Sequence, residues 1–306
     1  MHFLITGGSG FIGSAFAEKL LSLGHKVTIF DDKSFDHCFR LQSIKNQIHY
    51  KQIDFTNLNL LSKEIIGFDV VAHFYARANT SIGSNTLDDF EKGIVSTYNV
   101  IESMRKNQIK KIIFLSGAAV YGNISKSPTT ENDGPLIPVS LYGAFKISSE
   151  SILSAFSYLF DFQVWIFRLG NVVGPKMTKG IIFDLIKKLK TNPDYLEILG
   201  NGEQIKDFIY LDDCINGILS GFNNSKDKFS IFNLSSGNTI SVNQIAEIIK
   251  KEMNLTHIKN KFTNSSLGWI GDVPKINLDI SKIQKLGWFP TYDSKTAISL
   301  AVKDSL

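Results

Sequence analysis

Two residues with the chemistry of proton transfer, Tyr142 and Lys146, stand four positions apart in the run SLYGAFK (140–146). In a helix such a pair lies on one face about 5–6 Å apart, so the lysine ammonium favours the ionised form of the phenol. A phenol with a pKa of about 10 is a weak base at neutral pH unless a neighbour lowers that value. Such a pair is common on amphipathic helices, so it indicates a tyrosine base with a lysine partner only in combination with the glycine-rich turn near the start of the chain.

A glycine-rich turn, TGGSGFIG (6–13), follows a short apolar strand pattern and opens a helical one. Its glycines allow a tight turn, a close approach of the backbone to a pyrophosphate and tight packing of helix on strand. The candidate cofactor contacts in this turn are Gly7, Gly10, Phe11, Ile12 and Gly13. Together with the tyrosine and lysine, this turn indicates a redox enzyme that binds a dinucleotide.

Asp31 ends the next apolar strand pattern, eighteen residues after Gly13. A carboxylate at this point can accept hydrogen bonds from an adenosine ribose diol and repel a 2′-phosphate, which predicts NAD rather than NADP as the cofactor. Asp32 is the neighbouring alternative. Asp54 closes a third strand pattern and is expected near the adenine amino group by the same geometry.

Strand and helix patterns alternate along the first part of the chain. Strands are predicted at 2–6, 26–30, 48–53, 70–74, 111–116 and 164–168, and helices at 11–23, 88–106 and 141–160. This alternation predicts an α/β fold with a doubly wound parallel sheet of the Rossmann type. Beyond about residue 174 the patterns loosen. The predicted division is an NAD-binding domain at 1–173 and a smaller, closely packed substrate lobe at 174–306.

The composition is that of an ordinary soluble protein, with 306 residues, 43% hydrophobic and 20% charged. Its net charge of +4 comes from scattered lysines, which argues against nucleic-acid binding. The two cysteines, Cys38 and Cys214, lack metal-ligand spacing, so no metal site is predicted and a reducing compartment is favoured. Without a signal peptide pattern or an apolar stretch of about 20 residues, a cytoplasmic protein with no membrane partner is expected.

Seven ordered motifs extend over essentially the whole chain. They are TGGSGFIG (6–13), SGAAVYG (116–122), PTTENDGPLIPVSLYGAFK (128–146), RLGNVVGP (168–175), GNGEQIKDFIYLDD (200–213), FNLSSGNTISV (232–242) and GDVPKINLDISKIQKLGW (271–288). Together they resemble the extended short-chain dehydrogenases that act on nucleotide sugars, the NAD-dependent epimerases and dehydratases typified by UDP-glucose 4-epimerase. The resemblance implies NAD as cofactor, a nucleoside-diphosphate sugar, with UDP-sugars favoured, as substrate, and a homodimer through the helices around 88–106 and 141–160.

The resemblance also implies roles for single residues. Tyr142 is expected to be the catalytic base, and Lys146 its electrostatic partner, which also bonds the nicotinamide ribose. The implied substrate residues are Asn171 at the pyrophosphate, Ile181 and Phe183 beside the nucleotide base, and Thr129 and Glu131 in the loop over the sugar.

The chain departs from the family pattern at positions that bear on the mechanism. Where the family often has a catalytic Ser or Thr, this chain has Gly117, and Ser116 or a water is expected to assist instead. Lys206 and Trp269 stand where phosphate-binding arginines are common, and both are expected at the substrate. Lysine keeps the charge but loses the bidentate fork, and tryptophan cannot replace a phosphate cation.

These residues predict a 4-epimerase. Tyr142 takes the proton of the sugar 4-hydroxyl while a hydride passes to NAD, and the resulting 4-keto sugar turns and is reduced on its other face. The alternative is a 4-dehydrogenase that releases the ketone. A 4,6-dehydratase is disfavoured because Ala118 and Ala119 replace the Asp-Glu pair of such members. A nonenzymatic NAD(H)-binding sensor is disfavoured by the intact Tyr142 and Lys146.

Overall fold

The structure is a computed structural model that describes residues 1–76, 86–192, 194–263, 265, 267–269 and 271–306. Its strands are β1 (His2–Thr6), β2 (Lys26–Asp31), β3 (His49–Gln52), β4 (Val70–His73), β5 (Lys111–Gly117), β6 (Gln163–Leu169), β7 (Asn171–Val173), β8 (Tyr195–Ile198), β9 (Ile205–Tyr210), β10 (Phe229–Leu234), β11 (Thr239–Ser241) and β12 (Lys259–Phe262).

The helices are α1 (Phe11–Ser22), α2 (Leu58–Glu64), α3 (Thr86–Phe90), α4 (Ser96–Lys106), α5 (Leu141–Phe160), α6 (Ile181–Thr191), α7 (Leu211–Asn224), α8 (Val242–Glu252), α9 (Ser281–Gln284) and α10 (Ser294–Lys303). A π-helical turn, Glu91–Val95, joins α3 to α4, and 3₁₀ segments lie at Phe35–His37, Phe39–Ile44 and Ala118–Tyr121. In the described part of the chain, no helix is long and apolar enough to cross a membrane.

Seven strands form one parallel sheet in the order β10-β6-β5-β4-β1-β2-β3. Its central strands are apolar and buried because helices cover both faces. On one face α1 and α7 contribute Phe16, Leu20 and Phe222 to the core. On the other, α4 and α5 contribute Ile101 and Leu153. The predicted doubly wound α/β fold is confirmed.

In the part of the chain that the structure describes, two small sheets and the helices α6, α8 and α10 form a second core. Strands β11, β9 and β7 form one sheet and β12 pairs with β8 in the other, and apolar residues of α6, α8 and α10 pack into a separate core with them. Between these elements the chain returns to the large sheet, since β10 pairs with β6 along its length. The predicted division at residue 173 is not tested and stays a prediction, but the large sheet includes a strand that lies well beyond it.

Because the strands are parallel, the predicted site residues lie at one end of the large sheet, where the strands have their carboxyl ends. The carboxyl ends of β1, β2 and β5 are Thr6, Asp31 and Gly117, and the strands run in one direction. Ligands of open α/β sheets bind just beyond the carboxyl ends of the strands, in the crevice at the point where the strand order reverses direction. The glycine turn and the start of α5 therefore lie at the same end of the sheet.

Candidate active site

The glycine turn has the tight geometry that a dinucleotide pyrophosphate requires. Gly7 has φ of +69°, and a Cβ there would come within 2.6 Å of the Tyr75 Cα. A Cβ on Gly13 would come within 2.6 Å of the Gly7 carbonyl oxygen. None of the described side chains caps α1 at Gly10, so the backbone N–H groups of its first turn are available to bind an anion. The turn fits a bound NAD, with the backbone of 7–13 holding the pyrophosphate.

Asp31 closes this turn onto β2. Its carboxylate is 3% exposed and accepts hydrogen bonds from the backbone N–H groups of Ser9, at 2.9 Å, and Lys33, at 3.3 Å. Burial raises the pKa of Asp31, and the Ser9 contacts oppose that rise. The structure thus holds Asp31 against the glycine turn. Its contact with the ribose stays a prediction.

The two other predicted carboxylates are held by different partners. Asp32 is exposed and accepts a hydrogen bond of 3.0 Å from the Tyr75 hydroxyl. The Tyr75 ring stacks on Phe55 with centroids 4.1 Å apart. Asp54 accepts hydrogen bonds from the backbone N–H and the hydroxyl of Thr56, at 2.9 and 2.7 Å. Asp54 therefore forms a local turn, and its adenine contact stays a prediction.

Helix α5 starts where it does because of two local features. The Ser140 hydroxyl accepts a hydrogen bond from the Gly143 N–H at 3.2 Å, which is an N-cap. Gly143 has no side chain, and a Cβ there would come within 2.5 Å of the Ala119 carbonyl oxygen. The first turn of the helix therefore packs directly on the 3₁₀ segment that follows β5. This contact places Tyr142 beside Gly117, where a Cβ would lie 3.6 Å from the phenol oxygen.

Tyr142 and Lys146 share one face of α5, as their spacing predicts. Lys146 is 6% exposed, and its Nζ donates to the Leu115 carbonyl oxygen at 2.6 Å and lies 5.9 Å from the centre of the Tyr142 ring. Burial raises the pKa of Tyr142 to about 12 and lowers the pKa of Lys146 to about 8, with Glu150 opposing the latter change. We expected Lys146 to lower the pKa of Tyr142. Without ligands, burial has the larger effect, and the pKa of Tyr142 is raised.

Ser116 does not face the phenol. It is 3% exposed, and its hydroxyl donates to Glu150 at 2.5 Å. The same carboxylate accepts hydrogen bonds from Arg168, the shortest at 2.7 Å. The expected catalytic role of Ser116 is therefore at odds with the geometry, because its proton is committed to a buried ion pair. Glu150 lies eight residues after Tyr142, on the same helical face, which is the signal that could have identified it.

The loop expected over the sugar is fastened to the end of β10. Asn233 donates from its side chain to the Thr129 carbonyl at 2.9 Å and from its backbone to the Glu131 carboxylate at 2.7 Å. The Thr129 hydroxyl donates to the Lys126 carbonyl at 2.8 Å, and burial raises the pKa of Glu131. The structure brings Thr129 and Glu131 together through Asn233, which sequence reasoning missed. Their contact with a sugar stays a prediction.

The remaining substrate residues fall into two groups. Asn171 lies on β7 and its side chain donates to the Asp207 carbonyl at 3.0 Å. Ile181 and Phe183 lie in the first turn of α6, with Ile181 partly buried and Phe183 39% exposed. Phe183 therefore presents an aromatic surface that a nucleotide base could contact. These three roles stay predictions.

Lys206 is paired within the protein. Its ammonium lies 2.6 Å from the Asp272 carboxylate and also donates to the Val273 carbonyl. The two charged side chains are 13% and 9% exposed, so the pair is largely shielded from solvent. The expectation of a cation free for a phosphate is therefore at odds with this geometry. Trp269 is 38% exposed and lies against Gly271, where a Cβ would come within 3.1 Å of its ring.

Comparison with known proteins defines the class to which this fold and site belong. Residues 3–235 match the model of the NAD dependent epimerase/dehydratase family. A protein of Methanocaldococcus jannaschii with the provisional name UDP-glucose 4-epimerase is 34% identical, over 98% of this chain and 96% of its own. A crystal structure of UDP-galactose 4-epimerase has a TM-score of 0.88 and 30% identity, over 100% of this chain and 98% of its own.

UDP-glucuronic acid 4-epimerase from Bacillus cereus, in complex with UDP-glucuronic acid and NAD, is a further similar structure. It has a TM-score of 0.88 and 26% identity, over 99% of this chain and 98% of its own. The chain belongs to the NAD dependent epimerase/dehydratase family. It is an NAD-dependent enzyme, and the predictions of family and cofactor are confirmed.

Proposed function

We propose that the protein is a nucleoside-diphosphate-sugar 4-epimerase that acts through a transient 4-keto sugar. The observation that carries this proposal is the position of the Tyr142 phenol beside the open Cα of Gly117, with Lys146 buried one helical turn further on. Both residues lie at the carboxyl end of the large sheet, where the glycine turn has the geometry to bind NAD. The names of the similar proteins support the substrate class, since they include epimerases of UDP-galactose and UDP-glucuronic acid.

Tyr142 supplies the proton acceptor in this mechanism. Partial burial raises the pKa of Tyr142 to about 12, so the phenolate requires nearby positive charge to form at neutral pH. The Lys146 ammonium, 5.9 Å from the ring centre, supplies part of that charge. When bound, NAD supplies the two-electron acceptor and donor. Because no side chain projects from Gly117, the sugar 4-hydroxyl has room to approach the phenol.

An epimerase must let the ketone present both of its faces to NAD, so the sugar itself must be able to turn in the site. Lys206 is balanced by Asp272, and Trp269 carries no charge, so these two positions hold the phosphates of the substrate less firmly than two free arginines would. The loop of Thr129 and Glu131 is held by hydrogen bonds from Asn233. We place the sugar under this loop and the nucleotide base beside Phe183.

A homodimer is part of the same proposal. Helices α4 and α5 expose apolar side chains, including Tyr98 at 43%, Tyr158 at 86% and Leu159 at 66%. Exposed aromatic and aliphatic groups on adjacent helices are typical of a protein interface. The oligomeric state in solution, measured by light scattering, tests this point, and a monomer would contradict it.

Isotope labelling tests the reaction. A panel of UDP-sugars deuterated at C4 is incubated with the NAD-loaded enzyme, and the product is analysed by NMR and mass spectrometry. A 4-epimerase returns the same hydride, so the label stays at an inverted C4 and NADH does not accumulate. Accumulating NADH with a stoichiometric 4-keto product would show the 4-dehydrogenase instead.

Tyr142→Phe is the matched variant for that assay. It retains the ring and loses the proton acceptor, so turnover is expected to fall ~10²–10⁴-fold while NAD affinity stays within a few-fold of wild type. Turnover equal to that of the wild type would exclude Tyr142 as the base. No turnover of any sugar by the wild type, with NAD still bound, would favour a nonenzymatic sensor.

A further inference from the structure

Arg40 is a buried cation that the proposed chemistry does not use. It lies in the 3₁₀ segment Phe39–Ile44 and is 9% exposed. Its Nε and Nη2 donate to the Lys176 carbonyl oxygen at 3.0 and 2.8 Å, and Nη2 also donates to the Thr178 hydroxyl at 3.1 Å. Among the residues described, none provides it with a carboxylate. Burial of a charge without a counter-ion is costly, so these hydrogen bonds are its compensation.

The loop that Arg40 holds has an unusual backbone. Lys176 has φ of +64°, in the left-handed region that is unfavourable for a residue with a side chain. Gly174 and Gly180, on either side, also have positive φ. A second contact, an ion pair of 3.2 Å between Lys176 and Glu18, is exposed to solvent. Strained backbone persists where its surroundings hold it firmly, and Arg40 provides the buried contact.

This loop connects two groups of predicted substrate residues. It runs from β7, which carries Asn171, to α6, which begins with Ile181 and carries Phe183. Arg40 itself follows β2, whose last residue is Asp31 on the cofactor side. The Arg40 guanidinium therefore links the segment after β2 to the loop before Ile181 and Phe183, the residues proposed to lie beside the nucleotide base.

A cavity of about 390 Å³ lies beside this contact, lined by Arg40, Phe11, Pro175 and Leu211 among others. Because space is open there, the loop can move if the hydrogen bonds are lost, without a collapse of the core. We infer that Arg40 is a positioning residue, which fixes residues 175–183 for recognition of the nucleotide of the substrate. This inference rests on the proposed function.

Substitution of Arg40 tests the inference through binding. Arg40→Met removes every donor and keeps an apolar stem, while Arg40→Lys keeps the charge. UDP binding to the NAD-loaded protein, measured by calorimetry, is expected to weaken about ten-fold or more in the methionine variant and less in the lysine variant. NAD affinity is expected to stay within about two-fold, since the glycine turn and Asp31 are unchanged. Hydrogen exchange at the amides of 176–183 is expected to speed up.

Glu18→Gln is the matched control, since Glu18 lies on α1 and outside residues 175–183. It weakens the exposed ion pair with Lys176 but leaves the backbone carbonyl that Arg40 binds, so UDP affinity and exchange are expected to match the wild type. Unchanged UDP affinity in Arg40→Met would overturn the inference, as would parallel loss of UDP binding, NAD binding and thermal stability in both Arg40 variants. If the wild type does not bind UDP, the proposed nucleotide is wrong, and local exchange at 176–183 alone decides whether Arg40 holds the loop.

Discussion

The hydroxyl groups of Ser116 and Tyr142 lie near the same strand end but have different partners. Tyr142 faces the open position at Gly117, whereas Ser116 donates its proton to Glu150. A hydroxyl that already donates to a buried carboxylate cannot also donate to a sugar oxygen. At the residue scale, the site therefore depends on which polar groups remain free after folding.

Ser116→Ala separates a structural from a catalytic serine. Because the hydroxyl supports the buried pair of Glu150 and Arg168, its loss is expected to lower the free energy of unfolding by roughly 1–3 kcal/mol with little change in turnover. Denaturant titration and steady-state kinetics measure the two effects. A selective fall in kcat with unchanged stability and substrate affinity would instead restore the catalytic role.

Lys146→Met tests the electrostatic pairing. Loss of the ammonium removes positive charge near the phenol, so the pKa of Tyr142 is expected to rise and the acid limb of the pH–rate profile to move to higher pH. Lys106 is an exposed lysine at the end of α4, so Lys106→Met is a control that changes the net charge by the same amount away from the site. An unmoved profile in Lys146→Met would contradict the pairing.

The types of the site residues could be predicted from the sequence, but their partners could not. Tyr142 and Lys146 are one helical turn apart, so local geometry suffices to place them together. Lys206 and Asp272 are 66 positions apart, and only the folded second lobe brings them to 2.6 Å. The sequence alone therefore could not show that Lys206 is paired with Asp272.

At the scale of elements, the start of α5 determines the position of the base. The bounds of this helix, 141–160, agree with the prediction because Ser140 is a recognisable N-cap and the apolar pattern is continuous. Strand β10 was not predicted, although it completes the sheet. Its six residues, FSIFNL, include polar residues at positions that are buried in the fold, so the pattern resembles neither a fully apolar strand nor a helix.

Gly143→Ala tests the contact between α5 and the 3₁₀ segment. Alanine favours helix by up to about 1 kcal/mol, but its Cβ would meet the Ala119 carbonyl at 2.5 Å and push the first turn outward. Turnover is expected to fall at least about ten-fold, since a displacement of about 1 Å at a reacting group has effects of that order. Ser151→Ala, on the exposed side of the same helix, is expected to leave kinetics unchanged. Normal turnover in Gly143→Ala would show that the contact does not position Tyr142.

At the scale of the whole molecule, a buried carboxyl group on β9 makes stability depend on pH. Asp207 is fully buried, and burial raises its pKa to about 6, above the value of about 4 expected in the unfolded chain. The folded state then binds the proton more tightly, so this group's contribution to stability falls as pH rises from about 4 to about 6. Above about pH 6, Asp207 no longer contributes the stability that its protonated form provides.

Asp207→Asn is expected to remove that loss. Its thermal midpoint relative to the wild type should therefore be higher at about pH 7.5 than at about pH 4.5, as calorimetry would measure. Asp184→Asn, an exposed residue of α6, controls for the change in net charge. An advantage of the same size at both pH values would contradict the assignment of the raised pKa to Asp207.

The late return of the chain to the large sheet has a consequence for synthesis on the ribosome. Strand β6 ends at Leu169, but its neighbour β10 is not complete until Leu234 has emerged. At roughly 5–20 residues per second, the nascent protein spends several seconds with one side of β6 unpaired. During this interval Trp165 and Phe167 lack the aromatic neighbours Phe222 and Phe232 that later cover them. An unpaired apolar edge is a site for association with other chains, so a chaperone that shields β6 would protect this protein most during that interval.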